Sequence, residues 1–196
     1  MTSSVDPRWV ERIALAEPGV GDVRLVCVDG PAGSGKTTLA AALAVALEPL
    51  FGTVPVVHAD ELYEGWDVVA GAPDRLTAFD LLAERVEGWL LDRWRHGWPG
   101  GHPRWDWYAG AWGEPVEVPL SPVVVLEGVG LGARRLRAQA ALTVWVEAAD
   151  DGVRLERVLA RDGESLREEM TGWLLDEAEW HRHDGTRAGA DVVLTT

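Results

Sequence analysis

The run Gly30-Pro31-Ala32-Gly33-Ser34-Gly35-Lys36-Thr37 fulfils every position of the pattern Gly-x-x-x-x-Gly-Lys-Ser/Thr. Its residue types suit the holding of phosphate. Glycines let the backbone turn so that successive N–H groups point into one concavity, and a helix starting there adds positive potential. Lys36 would reach the terminal phosphates of a nucleoside triphosphate, and the Thr37 hydroxyl would ligate Mg²⁺. Lys36 is also the only lysine among 18 basic residues, the other 17 being arginine, and the chain contains no asparagine and one isoleucine. Such a bias suggests a GC-rich coding sequence in which arginine generally replaces lysine. A lysine kept against that bias marks a place where a compact ammonium on a flexible stem is needed.

Three further groups could act on a phosphate held there. Glu127 ends the apolar run Val123-Val124-Val125-Leu126 and precedes Gly128, a position from which it could hold Mg²⁺ directly or through water. Asp60, in His58-Ala59-Asp60-Glu61-Leu62-Tyr63, follows another apolar run. A carboxylate there can take the proton of an attacking hydroxyl. Arg154, Arg157 and Arg161 fall within an arc of roughly 60° at helical spacing, beside an apolar arc of Leu155, Val158 and Leu159. Such a ridge could lay guanidinium forks on phosphate oxygens as a lid. His181 and His183, at i and i+2, do not face one another on a helix, and no metal site is read there.

These groups need elements that bring them together. The runs Leu25–Val28, Val54–Ala59, Val123–Leu126, Leu142–Val146 and Val192–Leu194 are apolar without alternation, as in parallel strands covered on both faces. They alternate with helical stretches predicted over Pro7–Glu17, Lys36–Leu47, Thr77–Arg95, Val153–Arg161 and Leu166–Trp180. The pattern is that of an α/β fold with a parallel sheet. Pro55 places its strand at a sheet edge, and Thr77 with Asp80 reads as a helix-capping pair. Gly97 to Pro122 carries five prolines, five glycines and four tryptophans, and reads as a long functional loop. Its tryptophans suit either stacking on a flat ligand or packing against the core.

Composition bounds the rest. At 196 residues one domain over 1–196 is the expectation, with 47% apolar residues excluding general disorder. A formal charge of −14 argues against a nucleic-acid partner, which is usually met by a basic face. No segment is long enough to span a membrane, and no secretory signal begins the chain. The single Cys27 suits a reducing compartment. A cytoplasmic protein is expected, and its oligomeric state stays open.

Absences narrow the class. Guanine-specific switches need Asn-Lys-x-Asp, which a chain without asparagine lacks; the only glutamine, Gln139, is flanked by alanines, so the Gly-Gly-Gln run of transporter ATPases is missing too. From Val23 onward the chain resembles the uridine kinase-like family of P-loop nucleoside kinases. Asp60-Glu61-Leu62-Tyr63 is similar to the family's Asp-x-Phe-Tyr, Trp105-Asp106-Trp107 to its Tyr-Asp-Phe, Glu127-Gly128 to its strand ending in Glu-Gly, and Arg157 to Asp162 to its lid. The resemblance implies a three-layer α/β P-loop fold with a five-stranded parallel sheet, an acceptor-side loop near 97–122 and a lid near 154–166. It implies ATP held by Gly30, Ala32, Gly33, Ser34, Gly35, Lys36, Thr37 and Thr38, and Mg²⁺ at Thr37 and Glu127. Catalysis would fall to Lys36, Asp60, Arg157 and Arg161, and a small-molecule acceptor would meet Asp60, Tyr63, Trp105, Asp106 and Trp107.

The departures are specific. Where the family has a base-reading histidine this chain has Gly110, and where it has a ribose-binding aspartate this chain has Gly71. A second arginine cluster in the lid is replaced by Glu164, Ser165 and Leu166. The opening Asp29-Gly30 also resembles cytidylate kinase, so a nucleoside monophosphate acceptor stays open. A regulatory ATPase without a small acceptor is the competing class.

Overall fold

The computed structural model describes residues 5–196. Strands β1 (Arg24–Asp29), β2 (Val56–His58), β5 (Val123–Glu127), β6 (Ala140–Glu147) and β7 (Val192–Thr195) form one parallel sheet in the order β2-β5-β1-β6-β7. The strand after Pro55 lies at one edge and the C-terminal strand at the other, as the sequence predicts. Strands β3 (Gly100–Asp106) and β4 (Ala111–Val118) form a separate antiparallel ribbon.

Side-chain alternation along the central strands builds two cores. Val26, Val28, Val123 and Val125 meet α1 (Pro7–Leu15) and α2 (Lys36–Phe51) through Ile13, Leu39, Leu43 and Leu47. Leu25, Cys27, Val124 and Leu126 face the other side, where Phe79, Leu82, Leu136, Val158, Trp173 and Trp180 are packed. Those residues come from α3 (Arg75–Val86), α5 (Arg134–Arg137), α6 (Asp151–Asp162) and α7 (Arg167–Asp184). Because both faces are covered, the strands need no polar alternation, which explains their apolar runs. Among the described residues no helix is long and apolar enough to cross a membrane.

Two local expectations need correction. The cap of α3 is Asp74, whose side chain accepts from the Thr77 amide at 2.7 Å; Asp80 instead accepts from Trp180 Nε1 at 3.1 Å. Thr77 therefore lies inside the first turn, and its role is that of donor. The helix runs on through a wide turn at Glu87–Leu91 into α4 (Asp92–Arg95). The second correction concerns the predicted loop near 97–122, which is a β-hairpin. Pro103 stands opposite Pro115, and a two-stranded ribbon tolerates both because each strand is an edge with no further neighbour to bond. Asp106 closes the turn by accepting from the amides of Tyr108 and Ala109, each at 2.9 Å, and Gly110 completes it at φ 63°.

Candidate active site

Open parallel sheets bind ligands beyond the carboxyl ends of their strands. Here β1 leads into the glycine loop, β2 into the turn bearing Asp60, and β5 into Glu127. Together with one face of α6 they enclose a cleft of about 620 Å³ lined by Gly33, Lys36, Asp60, Glu127, Arg157 and Arg161.

The glycine loop is shaped by close backbone approach. Gly33 has φ 75°, and a Cβ there would stand 2.4 Å from the Arg154 carbonyl oxygen. Gly35, at φ 97° in the left-handed region, starts α2 without any side-chain cap, and the first turn holds no acidic residue. That N-terminus is open to an anion. Gly33, Gly35, Lys36, Thr37 and Thr38 all line the cleft. Lys36 is buried, with Nζ donating to the Pro31 carbonyl at 3.0 Å.

Three amides expected to hold phosphate are engaged elsewhere. Gly30 N–H donates to Asp29 Oδ1 at 2.6 Å, Ala32 N–H to Glu177 Oε2 at 2.9 Å, and Ser34 N–H to the Pro31 carbonyl at 3.2 Å. These bonds shape the loop; Ala32 still lines the cleft, while Gly30 and Ser34 lie outside its lining. Behind the loop, buried Glu177 also accepts from Arg154 Nη1 at 3.0 Å and Trp173 Nε1 at 2.9 Å. Buried Asp29 accepts from the amides of Gly130 and Gly132 at 3.1 and 2.7 Å and lies 3.1 Å from His181 Nε2. Sequence reasoning missed Asp29 and Glu177 as supports. An acidic residue directly before the first loop glycine was the one available signal. Glu177→Ala removes the acceptor of the Ala32 amide and one half of a buried ion pair, so it is expected to cost about 3–5 kcal/mol of stability. A denaturant titration beside wild type measures this.

Arg154 thus departs from the predicted ridge. It is buried, reaching Glu177 and the Ala32 carbonyl. The N-terminal end of α6 sinks beneath the loop where Gly33 admits its backbone, and only the later turns face the cleft. Arg157 lies there, with Nη1 at 3.3 Å from the Gly33 carbonyl, and so does Arg161, in a two-pronged pair with Asp162.

Thr37 Oγ1 lies 3.2 and 3.4 Å from the two Glu127 carboxylate oxygens. A hydroxyl and a carboxylate side by side are the hard oxygen donors that Mg²⁺ prefers. Among the described residues no group of three or more His, Cys, Asp or Glu could enclose a metal. Two protein oxygens therefore fit an ion that keeps water and phosphate for its other positions. His58 Nδ1 holds Glu127 Oε1 at 2.6 Å, because β2 and β5 pair in register with His58 opposite Glu127. The hydrogen bond to Glu127 raises the His58 pKa, partly offset by burial.

Asp60 opens onto the cleft. Desolvation raises its pKa and Glu127 adds to the rise, while Lys36, Arg161 and His58 oppose it. The residues named for the acceptor divide. Trp107 lines the cleft, and its Nε1 donates to the Asp60 carbonyl at 2.7 Å. Trp105 packs edge-on against Trp112 at 5.2 Å, away from the cleft lining, and Asp106 is occupied by the hairpin turn. The Tyr63 ring lines the cleft, but its hydroxyl is buried and donates to the Val129 carbonyl at 2.6 Å. Trp66 and Trp173, missed as site residues, complete the wall with Met170 and Leu166. Trp66 meets Trp107 at 5.7 Å and Trp173 at 5.9 Å, both edge-to-face.

A five-stranded parallel sheet covered on both faces, with a glycine loop running from β1 into an uncapped helix, makes a three-layer α/β P-loop fold. Two solved structures share it with this chain. One is a possible uridine kinase from Bacillus stearothermophilus, 19% identical, with a TM-score of 0.61 over 96% of this chain and 98% of the other. The second is the YGR205w protein, 13% identical, with a TM-score of 0.53 over 96% of this chain and 88% of that one. No protein-family model and no curated protein sequence matches the chain.

Proposed function

We propose that the protein is an ATP-dependent small-molecule kinase that transfers the γ-phosphoryl group to a hydroxyl of a flat acceptor, a nucleoside-like molecule being the case implied by the sequence resemblance. The observation that carries this reading is the shared cleft: Asp60 and an aromatic wall face the same space as the phosphate loop. ATP with Mg²⁺ supplies the transferable group and offsets phosphate charge. The loop amides beside α2 and Lys36 hold the phosphates, and Thr37 and Glu127 hold the cation. Asp60 accepts the proton of the acceptor hydroxyl while the new O–P bond forms and the bond to the β-phosphate breaks. Partial desolvation in the cleft, by raising the Asp60 pKa, makes it a stronger base than an aspartate in open water. A cytoplasmic protein without a nucleic-acid partner completes the proposal.

A screen of nucleosides, nucleoside monophosphates and small alcohols by ADP release tests it. ADP release rising with none of them, from a protein that binds ATP, would favour the regulatory class. Arg157→Ala and Arg161→Ala are each expected to lower kcat by about 10²-fold or more while changing ATP affinity far less. Charge that develops in the transition state gains most from fixed donors. Calorimetry beside steady-state kinetics separates the two effects, and equal small losses in both would make the ridge a solvated face.

A further inference from the structure

We infer that the acceptor is a neutral, largely apolar alcohol with an aromatic body, recognised by ring contact and by its hydroxyl alone. The inference rests on the kinase reading and narrows its acceptor.

The first ground is the state of the aromatic wall. Three of its four rings have spent their polar handle on the protein itself. Trp107 Nε1 donates to the Asp60 carbonyl, Trp173 Nε1 to Glu177, and the Tyr63 hydroxyl to the Val129 carbonyl. What these rings offer a ligand is therefore faces and edges, with Met170 and Leu166 beside them. A nucleobase carries several donors and acceptors around its rim. Pressed against such a wall it would lose water and find few replacements, a cost that an apolar ring does not meet. An aromatic body instead gains the edge-to-face geometry that Trp66 already makes with Trp107 and Trp173. The unbranched Met170 side chain can adapt to its outline.

The second ground is charge. The cations lining the cleft are Lys36, Arg157 and Arg161. Lys36 and Arg157 touch the glycine loop, and Arg161 is paired with Asp162. Arg75 lies over the Trp173 ring at 5.4 Å, but it donates to the Trp66 carbonyl and is paired with Asp176, outside the cleft lining. A phosphate or carboxylate on the acceptor would thus meet Asp60 and Asp162 with no cation reserved for it. This disfavours a nucleoside monophosphate.

The third ground is backbone. Gly71 and Gly110 have φ 82° and 63° and lie outside the cleft lining. Both positions are conformational, and neither supplies a polar side chain for a base or a sugar.

The test compares full-length protein with Mg-ATP across matched acceptors: tryptophol and 2-phenylethanol, uridine and adenosine, CMP, and glycerol. The expected result is a kcat/KM for tryptophol about tenfold or more above that for uridine, with no transfer to CMP. Calorimetry in the presence of ADP should show tryptophol binding more tightly than uridine. Trp66→Ala should raise the tryptophol KM more than it lowers kcat, and Trp66→Phe should restore most of the loss. A higher kcat/KM for uridine, adenosine or CMP overturns this inference and leaves the kinase reading standing. ADP release unchanged by every acceptor, with ATP still bound, overturns both.

Discussion

Lys36→Ala is expected to lower phosphoryl transfer by about 10³-fold or more, the scale on which a single cation acts on transferring phosphate. No other lysine exists to substitute for it. Its ammonium is held at the loop by the Pro31 carbonyl at 3.0 Å, so it is positioned before any phosphate arrives. Lys36→Arg should not restore activity, because a planar fork does not fit where a compact ammonium on a flexible stem is enclosed. Little stability should be lost, since the fold gains only one side-chain hydrogen bond, to the Pro31 carbonyl, from Lys36. Turnover and ATP affinity measured together on purified, folded variants check this. Near wild-type turnover in Lys36→Ala would remove the glycine loop from the active site.

Asp60→Asn is expected to reduce transfer to the best acceptor by roughly 10²–10⁴, the usual contribution of a positioned base. ATP affinity should change little, because Lys36, Thr37 and the amides at the start of α2 hold the phosphates. Stability should move the other way. Desolvation in the cleft and the neighbouring Glu127 raise the Asp60 pKa above its ordinary value of 3.8, so the folded protein binds that proton more readily than the unfolded chain. The stability associated with it is fully present below pH 3.8 and is lost as pH rises through the folded pKa. At neutral pH the wild-type protein bears the cost of holding that charge among the cleft walls beside Glu127, and the asparagine variant does not. The variant should therefore melt higher at pH 7, with the advantage vanishing in acid. Wild-type turnover should fall on the acid side at a pH above that of an exposed aspartate. If added Mg²⁺ rescues Asp60→Asn and ATP binding is weakened in it, Asp60 is a water-mediated metal holder and the base role is overturned.

Much of the site was legible because its causes are local. A glycine that must take positive φ announces itself in the pattern, and Gly33 and Gly35 do so here. Strands covered on both faces must be apolar throughout, so all five sheet strands could be read within about two residues of their ends. Pro55 named an edge because a missing N–H has the same consequence in any fold. The reading failed where neighbours decide. Tyr63 and Trp107 are both aromatic residues within three positions of an aspartate, and nothing in their types distinguishes the one tied to the Val129 carbonyl from the one that donates to the Asp60 carbonyl.

The sequence by itself determined that a glycine loop would stand between β1 and α2, and that carboxylates would stand at the ends of β2 and β5. These follow from backbone freedom, strand ends and chain order. Tertiary structure alone decided which loop amides remain for a ligand. The Ala32 amide goes to Glu177, 145 residues away, and Asp29 meets His181 across 152. It also decided that Arg154 lies beneath the loop while Arg157 and Arg161 face the cleft, and that three aromatic polar groups are spent before an acceptor arrives. The physical reason is the same in each case. A donor or a charge has no fixed role until packing sets what stands beside it, and hydrogen-bonding partners so distant along the chain leave no periodicity to read.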